Sequence, residues 1–101
     1  MASAIYNVGI CYYQGIGTPV NNLEAMKWFS RISNLGLVKA HYALALTLLK
    51  EKRYEESIVY FKKAEAREYK DASYELGVIF YQGEGGIPQS YHKAYHHFLK
   101  A

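Results

Sequence analysis

Ala4-Ile5-Tyr6-Asn7-Val8-Gly9-Ile10-Cys11-Tyr12-Tyr13-Gln14-Gly15-Ile16-Gly17 decides the fold, because the chain carries it twice. Ala72-Ser73-Tyr74-Glu75-Leu76-Gly77-Val78-Ile79-Phe80-Tyr81-Gln82-Gly83-Glu84-Gly85 matches it without a gap at an offset of 68. A degenerate third copy, Ala40-His41-Tyr42-Ala43-Leu44-Ala45-Leu46-Thr47-Leu48-Leu49-Lys50, lies between them and lacks the glycine pair. The periods are therefore 36 and 32 residues. The following halves repeat too. Pro19 precedes Ala25 by six positions, as Pro88 precedes Ala94. Ala25, Ser57 and Ala94 are each followed four residues later by a phenylalanine: Phe29, Phe61 and Phe98. The second glycine loop is one residue longer, an insertion assigned to Gly86. Fixed periods of about 30 to 40 residues imply stacked supersecondary units.

Each unit reads as two helices. Asn21 with Glu24 three residues on is an Asn form of the capping box, and Ser90 starts the run at Tyr91. Gly36 after Asn34-Leu35 suits a left-handed helix end. Helices are expected near residues 3–14, 22–34, 38–51, 54–67, 71–82 and 90–101. The Gly-x-Gly stretches cannot continue a helix and form turns inside the repeats. The expected architecture is all-α, a solenoid of three helical hairpins covering residues 4–39, 40–71 and 72–101. These are read as one domain, either cut from a longer array or paired through its open end.

Half of the 101 residues are apolar and 21% are charged, which excludes intrinsic disorder. The apolar run from Tyr42 to Leu49 is far short of the about 20 residues a membrane-spanning helix needs. No targeting segment is read, and the compartment stays open. Twelve Lys and Arg against nine Asp and Glu give a net charge of +3, with the two signs interleaved from Lys50 to Asp71. Nucleic-acid binding wants basic charge gathered on one face. A single cysteine, Cys11, excludes an internal disulfide.

The pattern Ala-x3-Leu/Val-Gly-x2-Tyr/Phe-x2-Gly-x-Gly, then Pro, then Ala-x2-Trp-Phe, resembles the Sel1-like repeat, a relative of the tetratricopeptide repeat. Ala4, Val8, Gly9, Tyr12, Gly15, Gly17, Pro19, Ala25, Trp28, Phe29 and Gly36 carry it in the first unit. Ala72, Leu76, Gly77, Phe80, Gly83, Gly85, Pro88, Ala94 and Phe98 carry it in the third, with His97 at the tryptophan position. The middle unit is closer to an ordinary tetratricopeptide repeat. The resemblance implies a non-catalytic scaffold that binds a protein or peptide. A branch of the family with paired cysteines is disfavoured by the lone Cys11.

At 100° per residue the first helix divides into arcs. Ile5, Val8, Gly9 and Tyr12, flanked by Ala4 and Cys11, are packing positions, as are Leu44, Ala45 and Leu48, then Leu76, Gly77 and Phe80. The remaining arc holds Ser3, Tyr6, Ile10, Tyr13 and Gln14, with counterparts Lys39, Tyr42, Leu46, Leu49 and Lys50, then Asp71, Tyr74, Val78, Tyr81 and Gln82. In a solenoid of hairpins the first helices line the concave side, so this arc is the expected partner groove. Tyrosines with polar tips suit the anchoring of a peptide.

Other chemistry is weaker. His92 and His96 have the i, i+4 spacing of a metal pair, but Glu84 is the nearest acid in sequence, and a solvated helix face is expected. Cys11 is expected to be buried, and no catalytic group, metal or cofactor is implied. The competing functional reading is an RNA-binding helical repeat, which a basic groove would support and Asp71 and Glu75 do not. The last helix, with Tyr91, Tyr95 and Phe98, lacks a polar cover and invites self-association.

Overall fold

A computed structural model describes residues 2–83 and 85–101. Six helices follow one another: α1 (Ala2–Gln14), α2 (Asn22–Ser33), α3 (Val38–Lys50), α4 (Tyr54–Ala66), α5 (Lys70–Gln82) and α6 (Tyr91–Lys100). Each boundary falls within one residue of its sequence expectation. No strand occurs among the described residues.

Local chemistry explains the boundaries. At the start of α2 the Asn21 side chain accepts from the Glu24 amide at 3.1 Å. At α6 the Ser90 hydroxyl accepts from the Lys93 amide, also at 3.1 Å. Each satisfies a helix N–H that has no carbonyl within its own helix. The two glycine loops return alike: the Asn21 amide donates to the Tyr12 carbonyl and the Ser90 amide to the Phe80 carbonyl, both at 2.8 Å.

α2 and α4 end on the same hydrogen-bonded turn. The Leu37 amide reaches back to the Ile32 carbonyl and Gly36 to Ser33; Tyr69 reaches Ala64 and Glu68 reaches Glu65. In this motif the residue after the cap is left-handed. Gly36 adopts φ 88° at no steric cost, whereas Glu68 holds φ 62° with a Cβ attached. Glu68→Gly is therefore expected to raise the unfolding free energy by about 0.5–1 kcal/mol. Gly36→Ala should lower it by a similar amount. Urea melts of the two variants check both signs.

The hairpins stack, and each core straddles a junction. One cluster joins Ala25, Met26 and Phe29 of α2 to Ala43, Leu44 and Leu48 of α3. The other joins Phe61 and Ala64 of α4 to Ala72, Leu76, Ile79 and Phe80 of α5. A repeat thus buries apolar surface against its neighbour as well as within itself. The result is elongated, 41 × 25 × 18 Å.

Of the expected packing positions on α1 only Gly9 is buried; Ile5 and Tyr12 are partly covered, and three on the outer side are not buried either. Val8 is 36% exposed, Ala4 is exposed and Cys11 is only partly covered. Their counterparts Ala40, Leu44 and Thr47, and Ala72, Leu76 and Ile79, are all buried. The sequence pattern is the same, but among the described residues no helix packs on that side of α1. The expectation of a buried Cys11 is corrected accordingly. At the other end Phe98 is 37% exposed while Phe29 and Phe61 are wholly buried. Tyr91, Tyr95 and Leu99 are also exposed there.

Polar links recur at the junctions. The Ser33 hydroxyl and His41 Nδ1 lie 2.6 Å apart between α2 and α3. Burial, with the charges of Lys63 and Arg67, lowers the His41 pKa and keeps the ring neutral. At the same positions between α4 and α5 stand Glu65 and Ser73. Glu65 Oε2 also lies 2.7 Å from His97 Nδ1 of α6. Burial alone would raise the Glu65 pKa. Hydrogen bonds from His97 and Ser73, with the charges of His97 and Lys100, overcome it and hold the carboxyl below its ordinary range.

Candidate functional site

One tyrosine per repeat packs on that repeat's phenylalanine. Tyr6 lies 5.7 Å from Phe29, Tyr42 5.9 Å from Phe61 and Tyr74 5.9 Å from Phe98, centroid to centroid. The helical spacing puts these rings on the side formed by the first helix of each hairpin. There a cleft of about 180 Å³ opens between α1 and α3. Tyr6, Ile10, Tyr13 and Gln14 line it from α1, and Tyr42, Ala43 and Leu46 from α3. Phe29 and Tyr69 complete it.

The cleft is phenolic and partly dry. Burial, with the charge of Glu75 next and Asp71 after it, pushes the Tyr42 pKa up to about 12. Tyr13 is raised by burial and by Glu75, and Tyr6 by burial and by Tyr69. These phenols stay protonated at neutral pH and can donate a hydrogen bond. Lys50 sits at the rim, its Nζ 4.3 Å from the Tyr13 ring centroid and 3.4 Å from the Tyr13 carbonyl oxygen.

Six of the expected groove residues are gathered here: Tyr6, Ile10, Tyr13, Gln14, Tyr42 and Leu46. The other eight do not line the cleft. Lys39, Asp71 and Gln82 are exposed, and Lys50 caps Tyr13. Leu49 packs on the core between α4 and α5, and Val78 is partly buried. Tyr74 rests on Phe98, and Tyr81 meets Tyr91 edge-on at 5.2 Å. Sequence reasoning missed Tyr69. It is the residue just before α5, so it belongs to no helical arc, and its counterpart before α3 is Leu37. Its ring lies 5.0 Å from that of Tyr42.

A wider hollow of about 790 Å³ lies on the other side, between α2 and α4, floored by Met26, Leu44 and Leu48 and flanked by Trp28 and Tyr60. Its charged rim is already paired. Glu24 meets Lys27 at 3.1 Å, Arg53 meets Glu56 at 2.8 Å and Arg31 lies over Trp28. It leaves no charged group seeking a partner, and for that reason the smaller cleft is the better candidate.

His92 and His96 are exposed, whereas His97 is buried, stacked on Phe80 and paired with Glu65. Glu84 lies outside the described residues. Among those described, no three His, Cys, Asp or Glu side chains gather as a metal site would require. No described helix is long and apolar enough to cross a membrane.

The fold has known counterparts. A Sel1 repeat protein from Oxalobacter formigenes superposes with a TM-score of 0.81 at 25% identity, over 99% of this chain and 42% of its own. The protective antigen c5321 of uropathogenic Escherichia coli, which displays an SLR fold, gives 0.84 at 27% identity, over 99% and 22%. In sequence the chain is 38% identical over 58 residues to the putative sel1-like repeat-containing protein L21 of Acanthamoeba polyphaga mimivirus. It is 28% identical over 87 residues to chitin synthase regulatory factor 2 of Schizosaccharomyces pombe. These alignments cover 57% and 81% of the chain but only 11% and 17% of those proteins. The Sel1 repeat model matches residues 2–37 and 70–101, the two complete copies, and passes over the degenerate one. With its two matched repeats, its six stacked helices and these structural counterparts, the chain belongs to the Sel1 repeat family.

Proposed function

We propose that this chain is a non-catalytic binding module that holds a linear peptide of another protein in the cleft between α1 and α3. Sel1 repeat proteins generally act as protein-interaction scaffolds. The observation that carries the finer reading is the convergence of four tyrosines, Tyr6, Tyr13, Tyr42 and Tyr69, with Ile10 and Leu46 in one recess. Amphipathic rings around an apolar floor anchor peptide side chains while their hydroxyls meet the peptide backbone.

The test uses linear peptides selected on the chain from a random library displayed on phage. Tyr13→Ala should weaken their binding by about 1–2 kcal/mol. Tyr81→Ala removes an equivalent tyrosine outside the cleft and should leave affinity nearly unchanged. Peptides that bind Tyr13→Ala as tightly as the parent would overturn the cleft assignment.

The same chain should also pair with itself through α6. Tyr91, Tyr95, Phe98 and Leu99 are exposed along α6, and Phe98 stands where α3 covers Phe29 and α5 covers Phe61 in the other hairpins. Apolar faces of this kind associate in water. Light scattering across a wide concentration range is expected to show growing mass. A strictly monomeric species throughout would contradict it.

A further inference from the structure

The junction that joins one hairpin to the next occurs twice inside the molecule, and each of its halves also stands open once. α2 packs on α3, where Ala40, Leu44 and Thr47 are buried, and α4 packs on α5, where Ala72, Leu76 and Ile79 are buried. The first-helix half recurs on α1 as Ala4, Val8 and Cys11, which no helix covers on that side among the described residues. The second-helix half recurs on α6. Phe98 stands at the place of Phe29 and Phe61, and Tyr95, 65% exposed, at the place of Met26, which is buried in the first junction.

The chemistry of both open halves suits apolar contact. Of the six helices, α1 is the one without a charged side chain, although one side of it is uncovered. A helix side that faces water ordinarily carries charge. On α6, at 100° per residue, Tyr91, Ala94, Tyr95 and Phe98 share one side, and His92, Lys93, His96 and Lys100 fall on the opposite one. Laying the first side on α1 buries no charge. A two-fold pairing of α6 with α6 would leave the outer side of α1 in water.

Resting on the self-association argued above, we infer that it runs head to tail: α6 of one copy packs on the outer side of α1 of the next, as α2 packs on α3. Such a contact joins two different surfaces, so it does not stop at two copies.

One variant at each half tests this. Val8→Asp and Tyr95→Asp place a carboxylate in the contact, and thermal melts establish that both are folded. In sedimentation the parent's mass should grow past two copies with concentration. Each variant alone should associate about 10-fold or more weakly. Ala4→Arg, one turn earlier on α1, should repeat the effect of Val8→Asp. Mixed in equal amounts, Val8→Asp and Tyr95→Asp should form pairs and nothing larger, since only one intact junction remains between them. Val8→Asp and Ala4→Arg that associate like the parent, a mixture without pairs, or a parent that stops at two copies would overturn the head-to-tail contact and leave self-association standing. A parent monomeric throughout would overturn both.

Discussion

Gly9→Leu is expected to lower the unfolding free energy by about 3 kcal/mol or more, whereas Gly77→Leu, its repeat counterpart, should lose less. A Cβ at Gly9 would come within 2.6–3.1 Å of three ring atoms of Phe29. Phe29 has no accessible surface and is clamped by α3, so it cannot yield. Forcing a leucine there separates α1 from α2 and spoils the shared core, at about 3 kcal/mol or more. That is a large share of a stability of about 5–15 kcal/mol. A Cβ at Gly77 meets the Phe98 ring under 3.0 Å, but Phe98 is partly exposed and can swing outward. The middle repeat shows the limit of tolerance. Ala45 occupies this position there, and the Tyr42–Phe61 rings meet at 60° where both glycine-bearing repeats have 47°. Denaturant midpoints of the two leucine variants decide the matter, and equal losses would refute it.

The same logic ranks the phenylalanines. Phe61→Ala should cost about 3–5 kcal/mol, since it empties a site sealed by α3 and α5. At a dilution where the chain is monomeric, Phe98→Ala removes the equivalent ring from an open face, leaves no enclosed cavity and should cost about 1–2 kcal/mol. Chemical denaturation of both gives the difference directly. A Phe98→Ala loss as large as that at Phe61 would mean that α6 is covered in solution by something these contacts do not include.

The helices were legible because their determinants are local: Asn21 and Ser90 cap, Gly36 terminates, and the alanine and phenylalanine positions keep helical spacing. The tyrosine arc was legible in part for the same reason. What escaped depends on neighbours. Val8 and Cys11 obey the packing pattern, but among the described residues no helix covers their outer side. Tyr69 enters the cleft from a junction rather than from a helix face. Glu65 and His97, 32 residues apart, meet only because α4 and α6 come together across the start of α5, and no periodicity announces such a pair.

Cores that straddle junctions also shape how the molecule breathes. Among the described residues α3 and α4 share apolar surface with a hairpin on each side, while α1 and α6 are held from one side. Detaching an outer helix forfeits one set of contacts and leaves the central pair packed, so the chain can open stepwise from its extremities. The cleft takes half its wall from α1, and so its lifetime in the open solution state follows the fraying of that helix. A bound peptide bridging α1 and α3 would fasten the loose outer helix to the stable middle.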